Sequence, residues 1–482
     1  MLGGLCVLVG DGDCGGRPAQ QVEAFLRGGA QTIVYRGSGA QAPQKEAARE
    51  LRDLCRAASA RLVLEDVALA KELGADGAYL KEGTKKADIA AARAALGDGK
   101  SVGLAVRNAE QAQSACEAGA SFLTVGAIFP EAGTHHGEIA GLRTLEHIRR
   151  TVDVPLCVFG GITRDNAPQA LAAGANALAV PVALLKDANP AMAAREFALL
   201  FNSLKPYPRG RMLTIAGSDS GGGAGIQADL KVSTLLGSFG MSAITALTAQ
   251  NTLGVSGIHA APVDFIQSQI EAVLSDIGAD VIKIGMLFSP EIIRLVAGIL
   301  RQYTIPAVID PVMIAKGGAA LLRQEAVAAL RDELLPLAYL ITPNIPEAET
   351  LTGMSIRSEE DMERAAEKIQ ALGARNVLVK GGHLEGESVD ILRAGTQVHR
   401  LPGKRIDTQH THGTGCTSSA AIATFLAQGV PLVKAVEQGK AFILEAIRQA
   451  PGLGHGHGPV NHFQAAMRAL GLKPGKPNLK DI

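Results

Sequence analysis

The sequence predicts two α/β domains in one chain: a (β/α)8 barrel followed by a three-layer α/β/α domain built on a parallel sheet. Apolar runs of strand length alternate with helical stretches along most of the 482 residues. That alternation is what a parallel sheet covered by helices produces. In the first half, RGGAQTIVY (27–35), LGADGAYL (73–80), EAGASFLTV (117–125) and AAGANALAV (172–180) each end a helix with glycine and open a buried strand. A proline-rich polar stretch, NSLKPYPRGR (202–211), then separates this rhythm from a second one. The expected domains are 1–204, a linker 205–211, and 212–482.

Within the first domain, LCVLV (5–9), ARLVLE (60–65), SVGLAV (101–106) and VPLCVFGG (154–161) interleave with the four glycine-led strands, making eight. A barrel of eight such units places its active face at the carboxyl ends of its strands. Gly10, Gly12 and Gly15 form a GxGxxG after the first strand, but Asp11 and Asp13 would repel a pyrophosphate, and Arg36 stands where an acidic ribose ligand belongs, so a dinucleotide fold is set aside. Gly160 and Gly161, after the seventh strand, with the segment after the eighth, form a candidate phosphate site; a glycine pair that simply turns the chain is the alternative.

The second domain reads as strands at LTIAG (213–217), SAITALTAQ (242–250), DVIKIG (280–285), PAVIDPV (306–312), AYLITPN (338–344) and NVLVKGG (376–382). The glycine-rich GSDSGGGAGIQADLK (217–231) follows the first strand and is neither a Walker loop nor a dinucleotide fingerprint. Polar residues at later strand ends, Gln250, Asp310, Asn344, Glu347 and Lys380 with Gly381 and Gly382, should face one crevice. THGTGC (411–416) opens a helix-like run, so the amides of Gly413, Thr414, Gly415 and Cys416 are expected to converge on an anion. The same helix start should lower the Cys416 thiol enough for it to take a proton near neutral pH; a buried structural cysteine is the plainer alternative.

Composition narrows the partners. Net charge is zero, so neither nucleic acid nor a membrane surface is an expected partner, and no apolar stretch approaches the roughly 18–20 residues of a membrane span. MLGGLCVLVGDGD reads as a first strand with no signal peptide. Six cysteines without a CxxC pair suit reduced thiols, hence a cytoplasmic protein. GHGHG (454–458) offers two imidazoles without a third ligand, and a glycine-rich closing loop is expected there in preference to a metal site.

AGSDSGGGAGIQADLK, ALTAQNT, KIGML, DPVM, ITPN, VKGGH and THGTGC, in that order, resemble hydroxymethylpyrimidine/phosphomethylpyrimidine kinases from about Met212 to Phe463. The resemblance implies a ribokinase-like domain using ATP and Mg2+ on an aminopyrimidine. It places Gly217, Asp229, Gln250 and Met286 around the substrate, with Gln250 pairing to the ring. It also places Lys380, Asn344 and Gly382 toward the nucleotide, Asp310 and Glu347 toward the metal, and Cys416 as base in the hole of Gly413, Thr414 and Gly415. His410 departs from the asparagine of that pattern. Pyridoxal kinase activity and a vitamin sensor without turnover are the competing readings.

VGAIFP (125–130), VFGGIT (158–163) and AGANALAV (173–180) resemble thiamine phosphate synthase and thiazole tautomerase. Against the synthase pattern, Leu64 and Glu65 replace Asn-Asp, Thr84 replaces an aspartate, and Ala105 and Val182 replace serines; Ala127 stands at the tautomerase histidine, with His135 and His136 nearby. A barrel that has lost synthase chemistry and retains a binding, oligomerising or regulatory role is expected, with a phosphate ester as its candidate ligand and full bifunctionality as the alternative. A homo-oligomer is the expected assembly.

Overall fold

The computed structural model describes residues 2–10, 18–37, 42–130, 139–180, 187–313, 324–382 and 388–472. The chain forms two compact units, Met1–Phe201 and Asn202–Ile482.

In the first unit, β1 (Gly4–Gly10), β2 (Thr32–Arg36), β3 (Arg61–Leu64), β4 (Gly77–Leu80), β5 (Ser101–Val106), β6 (Phe122–Val125), β7 (Leu156–Phe159) and β8 (Ala177–Ala179) close into a parallel barrel in sequence order. These are the eight strands predicted. Alternation along each strand sends one set of side chains to the helices and the other to the lumen. Cys6, Leu8, Val34, Val63, Phe122, Cys157 and Ala177 fill the lumen, while Leu5, Val7, Ile33, Leu62, Leu64 and Leu123 pack beneath the helices. The chain between strands is punctuated as the glycines suggest. The helix Val67–Leu73 starts on Asp66, whose side chain accepts from the Leu69 amide, and stops at Gly74 in a left-handed conformation.

The second unit is a nine-stranded sheet in the order β11-β10-β9-β12-β13-β14-β15-β16-β17. Its strands are β9 (Arg211–Asp219), β10 (Phe239–Asn251), β11 (Gly254–Ala260), β12 (Val281–Ile284), β13 (Ala307–Ile309), β14 (Leu340–Ile341), β15 (Asn376–Val379), β16 (Asp390–Ala394) and β17 (Gln397–Leu401). The six predicted strands form its parallel centre. The sheet is not purely parallel, however: β11, β16 and β17 run antiparallel to their neighbours. The residues between β10 and β11, and between β16 and β17, are too few for a crossover and permit only a hairpin. The first strand, β9, lies between β10 and β12, so the chain departs from it to opposite sides and leaves a crevice at its carboxyl end.

Gly103 of β5 makes room for a lumen ring: a Cβ there would stand 2.0 Å from the Phe122 ring. Gly103→Ala is therefore expected to destabilise the barrel by about 1–3 kcal/mol through overpacking, read as a lower denaturation midpoint in urea. An unchanged midpoint would show that Phe122 can move aside at no cost.

Candidate active site

The carboxyl ends of β9, β10, β12, β13, β14 and β15 surround one crevice of about 860 Å³, closed on its remaining side by the start of the helix Thr414–Ala427. Gly217 and Met286 meet across the mouth of β9 and β12, where a Cβ on residue 217 would lie 2.4 Å from Met286 Cε. Gln250 reaches the same space from β10, beside a register shift at Ala249/Gln250. Its Oε1 accepts from Thr248 Oγ1 at 3.1 Å, and its Nε2 lies 3.4 Å from His412 Nε2.

Asp229 departs from its predicted place. It does not line the crevice but is fully buried behind it, accepting from Lys283 Nζ at 2.9 Å and Thr214 Oγ1 at 2.6 Å. Lys283 takes its place at the wall. Burial would depress the Lys283 ammonium, but Asp229 outweighs it and holds the group charged. Nothing in the spacing of KIGML marked this lysine in advance, because a strand interior is an unusual place for a charge.

Asp310, Glu347 and Lys380 form a charged cluster. Lys380 Nζ donates to Asp310 Oδ1 at 2.9 Å, while Asp310 Oδ2 points toward Gly415, where a Cβ would sit 3.1 Å away. Asn344 and Glu347 make a capping box: Asn344 Oδ1 accepts from the Glu347 amide at 2.9 Å, and Glu347 Oε2 accepts from the Asn344 amide at 2.8 Å. Burial pushes the Glu347 carboxyl up to about 7, with Asp310 adding to it and Lys380 opposing. Gly382 lines the crevice beyond Lys380.

At the helix start, Gly413 adopts φ 80°, and a Cβ there would strike the Gly223 carbonyl oxygen at 1.8 Å. The amides of Gly413, Gly415 and Cys416 meet no protein acceptor among the described residues. Thr414 does not join them, since its amide turns back to the Thr411 carbonyl at 3.3 Å. The hole thus has three free donors, one fewer than predicted.

The Cys416 thiol also differs from expectation. Burial pushes it up to about 11, with Asp229 and Asp310 adding to the effect and Lys283 and the Gly225 amide opposing it. The helix start does not overcome that environment.

Two residues missed in the sequence organise the glycine-rich loop. Asp219 accepts from the amides of Gly221 at 2.8 Å, Gly223 at 3.0 Å and Ala224 at 2.9 Å, and lies 2.8 Å from His412 Nε2. Burial alone would raise its carboxyl; the His412 ring and the amides hold it below the usual carboxylate range. The signal was present as an aspartate two residues before a glycine run, the pattern of a side chain capturing its own loop.

GHGHG packs as a closing loop. A Cβ on Gly454 or Gly456 would strike Thr252, one on Gly458 would strike His410, and His457 Nδ1 lies 3.1 Å from the Gln409 carbonyl. No group of three or more metal-binding side chains occurs among the described residues.

The similarities of the chain agree with this geometry. Residues 219–461 match the phosphomethylpyrimidine kinase family and residues 5–184 the thiamine monophosphate synthase family. The thiamine biosynthesis bifunctional protein ThiED of Geobacter sulfurreducens is 51% identical over 92% of this chain and 91% of its own. The chain belongs to the phosphomethylpyrimidine kinase family and carries a thiamine monophosphate synthase-like barrel ahead of the kinase domain. Its kinase domain is also 51% identical to the hydroxymethylpyrimidine/phosphomethylpyrimidine kinase of Bacillus subtilis, over 54% of this chain and 97% of that one. Among solved structures, the Bacillus subtilis pyridoxal kinase in an ADP complex matches with 41% identity and a TM-score of 0.51, over 54% of this chain and 98% of its own.

In the synthase-like barrel, Gly160 and Gly161 take φ of 89° and 62°. A Cβ on Gly160 would lie 2.7 Å from Ala127 Cβ, and one on Gly161 would lie 2.4 Å from the Phe129 carbonyl oxygen. The pair therefore seats the loop after β7 against the loop after β6, where the Phe129 amide donates to the Gly160 carbonyl at 3.1 Å. Val182, His135, His136 and the rest of 181–186 after β8 lie outside the described residues. Leu64 faces the helices, leaving Glu65 as the residue that follows β3 at the barrel end, near Tyr79 and Arg36. Thr84 is spent in a turn, its Oγ1 donating to the Lys81 carbonyl at 2.6 Å. No helix among the described residues is long and apolar enough to cross a membrane.

A thiol raised two units above its ordinary value carries about a hundredfold less thiolate at neutral pH. Alkylation of Cys416 by iodoacetamide, followed by peptide mass spectrometry, should be slower than that of a free thiol by at least that factor and should accelerate with pH well beyond 9. Rapid labelling at pH 7 would mean that the helix start prevails after all.

Proposed function

We propose that the second domain transfers the γ-phosphoryl group of ATP to the hydroxymethyl group of 4-amino-5-hydroxymethyl-2-methylpyrimidine and then to its monophosphate. The observation that carries the reading is the convergence of Gln250, Met286, Cys416 and three free amides on one crevice. Gln250 offers donor and acceptor to the aminopyrimidine edge, and Gly217 leaves room for Met286 against the ring. The helix-start amides receive the phosphoryl group in flight, and Lys380 and Gly382 lie toward the nucleotide phosphates. Asp229 acts from behind the wall, by holding the Lys283 ammonium in place.

The oxygen donors of Asp310 and Glu347 suit a hard divalent cation. Two carboxylates beside an ammonium fit Mg2+ that keeps water and phosphate oxygens as its other ligands. When bound, the ion neutralises charge on the transferring phosphoryl group.

Cys416 remains the base of this reading in its thiolate form: the thiol first loses its proton to solvent, which burial makes unfavourable at neutral pH, and the thiolate then takes the proton of the substrate hydroxyl as its oxygen attacks the phosphorus. Cys416→Ala should keep pyrimidine binding and lower kcat by about a hundredfold, and the wild-type kcat should rise with pH through the neutral range as thiolate becomes available. Loss of less than tenfold would leave catalysis to the amides and charges alone.

Gln250→Leu should weaken pyrimidine binding by about 1–3 kcal/mol, with ATP binding unchanged, as measured by calorimetry. Equal weakening for both would make Gln250 a structural amide. Side-by-side turnover of the pyrimidine and pyridoxine tests the substrate class, and preference for pyridoxine would overturn it.

We read the barrel as a phosphate-ester-binding domain without synthase turnover, because Leu64 faces the helices and Thr84 is committed to a turn. The name of the Geobacter sulfurreducens relative favours a second reading, in which the barrel also forms thiamine phosphate. The full chain, supplied with pyrimidine diphosphate and thiazole phosphate, should yield no thiamine phosphate above background; yield above it would decide for bifunctionality. The free cysteines of both units suit a reducing, cytoplasmic setting.

A further inference from the structure

Lys440 stands in the helix Leu432–Arg448 and lines the crevice together with Ser388, Asp390 and Leu444. A lysine in a nucleotide crevice invites the role of phosphate ligand. Its surroundings exclude that role. An ammonium has three N–H donors, and here it meets the Leu401 carbonyl at 2.5 Å, the Ser388 carbonyl at 2.8 Å and Asp390 Oδ2 at 3.0 Å. No donor is left for a phosphate.

The cage around Lys440 is tied to the catalytic wall. Asp390 Oδ1 accepts from the Gly381 amide at 2.9 Å, and Gly381 directly follows Lys380. Gly381 is itself pressed on the neighbouring strand, since a Cβ there would lie 1.8 Å from the Val389 carbonyl oxygen. Gly403 lets the hairpin close on the lysine, because a Cβ there would stand 2.7 Å from Lys440 Cε. On its own helix the preceding residue, Gly439, packs against Ile422 of the helix that carries the anion hole, with a Cβ site 2.5 Å from Ile422 Cγ1.

We propose that Lys440 is a tethered monovalent cation: its ammonium fills a cage of two carbonyls and a carboxylate and so positions the Lys380–Gly382 wall relative to the helix Thr414–Ala427 for nucleotide binding. It is a positioning residue and not a phosphate ligand. The proposal rests on the reading of this crevice as the ATP site. It has a consequence that a merely structural lysine lacks. Removing the side chain leaves a site with the charge and donor demand of a free ammonium ion.

The test is ATP binding by calorimetry, which needs no turnover, on wild type and Lys440→Ala, with and without propylammonium chloride and with tetramethylammonium chloride as the ionic-strength control. ATP affinity should fall on the order of tenfold in Lys440→Ala, with pyrimidine affinity unchanged. Propylammonium should restore it, tetramethylammonium, which has no N–H, should not, and wild type should respond to neither. Lys440→Met combined with Asp390→Asn guards against misfolding from an unpaired carboxylate; it should bind ATP weakly and gain nothing from the amine. Unchanged ATP affinity in folded Lys440→Ala would overturn the proposal, as would equal weakening of both substrates without rescue. Normal ATP binding by a wild-type chain that ignores the pyrimidine would refute the substrate assignment alone and leave the Lys440 result readable.

Discussion

The crevice of the second domain depends on one carboxylate. Asp219 gathers the amides of Gly221, Gly223 and Ala224 and the ring of His412, which joins the glycine-rich loop after β9 to the segment that opens the anion-hole helix. Ordering consecutive glycines is entropically costly, and charge-assisted hydrogen bonds to a buried acceptor are the strong kind that can offset it. The loop so fixed presents the Gly223 carbonyl against Gly413, at a separation that no side chain on residue 413 could share. The first loop and the anion hole are therefore one piece of structure, although about two hundred residues separate them in the sequence.

Electrostatics in the crevice are set by burial more than by the helix end. A helix terminus stabilises an adjacent charge by about 0.3–1 kcal/mol, up to ~2 in favourable geometry. The rise of the Cys416 thiol to about 11 corresponds to roughly 3 kcal/mol in the opposite sense. Lys283 softens the effect, while Asp229 and Asp310 reinforce it. The same balance leaves Glu347 near 7 although Lys380 is close by. Lys380 and Asp310 offset each other directly, Nζ to Oδ1 at 2.9 Å.

Much of this was legible in the sequence, for identifiable reasons. Parallel strands buried on both faces read as plain apolar runs, so all eight barrel strands and the six central strands of the second sheet could be found. β11, β16 and β17 could not: their partly exposed faces carry polar residues such as Ser256, His259 and Arg400, which blur the apolar signal. Strand-end polar residues were found because a parallel sheet directs them to one edge. Asp229 misled because it sits on the helix that follows the loop and faces the sheet interior, an orientation that motif order does not encode. Lys283, His412 and Lys440 were missed because their value lies in a partner distant in the chain, and pairing of that kind has no periodicity to read.

The glycine pair after β7 has a consequence for how the barrel can change. Gly160 and Gly161 leave no volume between their backbone and residues 127–130, and the two loops share a main-chain hydrogen bond. Neither backbone can be given a side chain at the contact unless the other is redrawn with it. Variation at this contact is thus obliged to come in pairs, whereas the ends of other barrel strands, such as Glu65 after β3, can change without it.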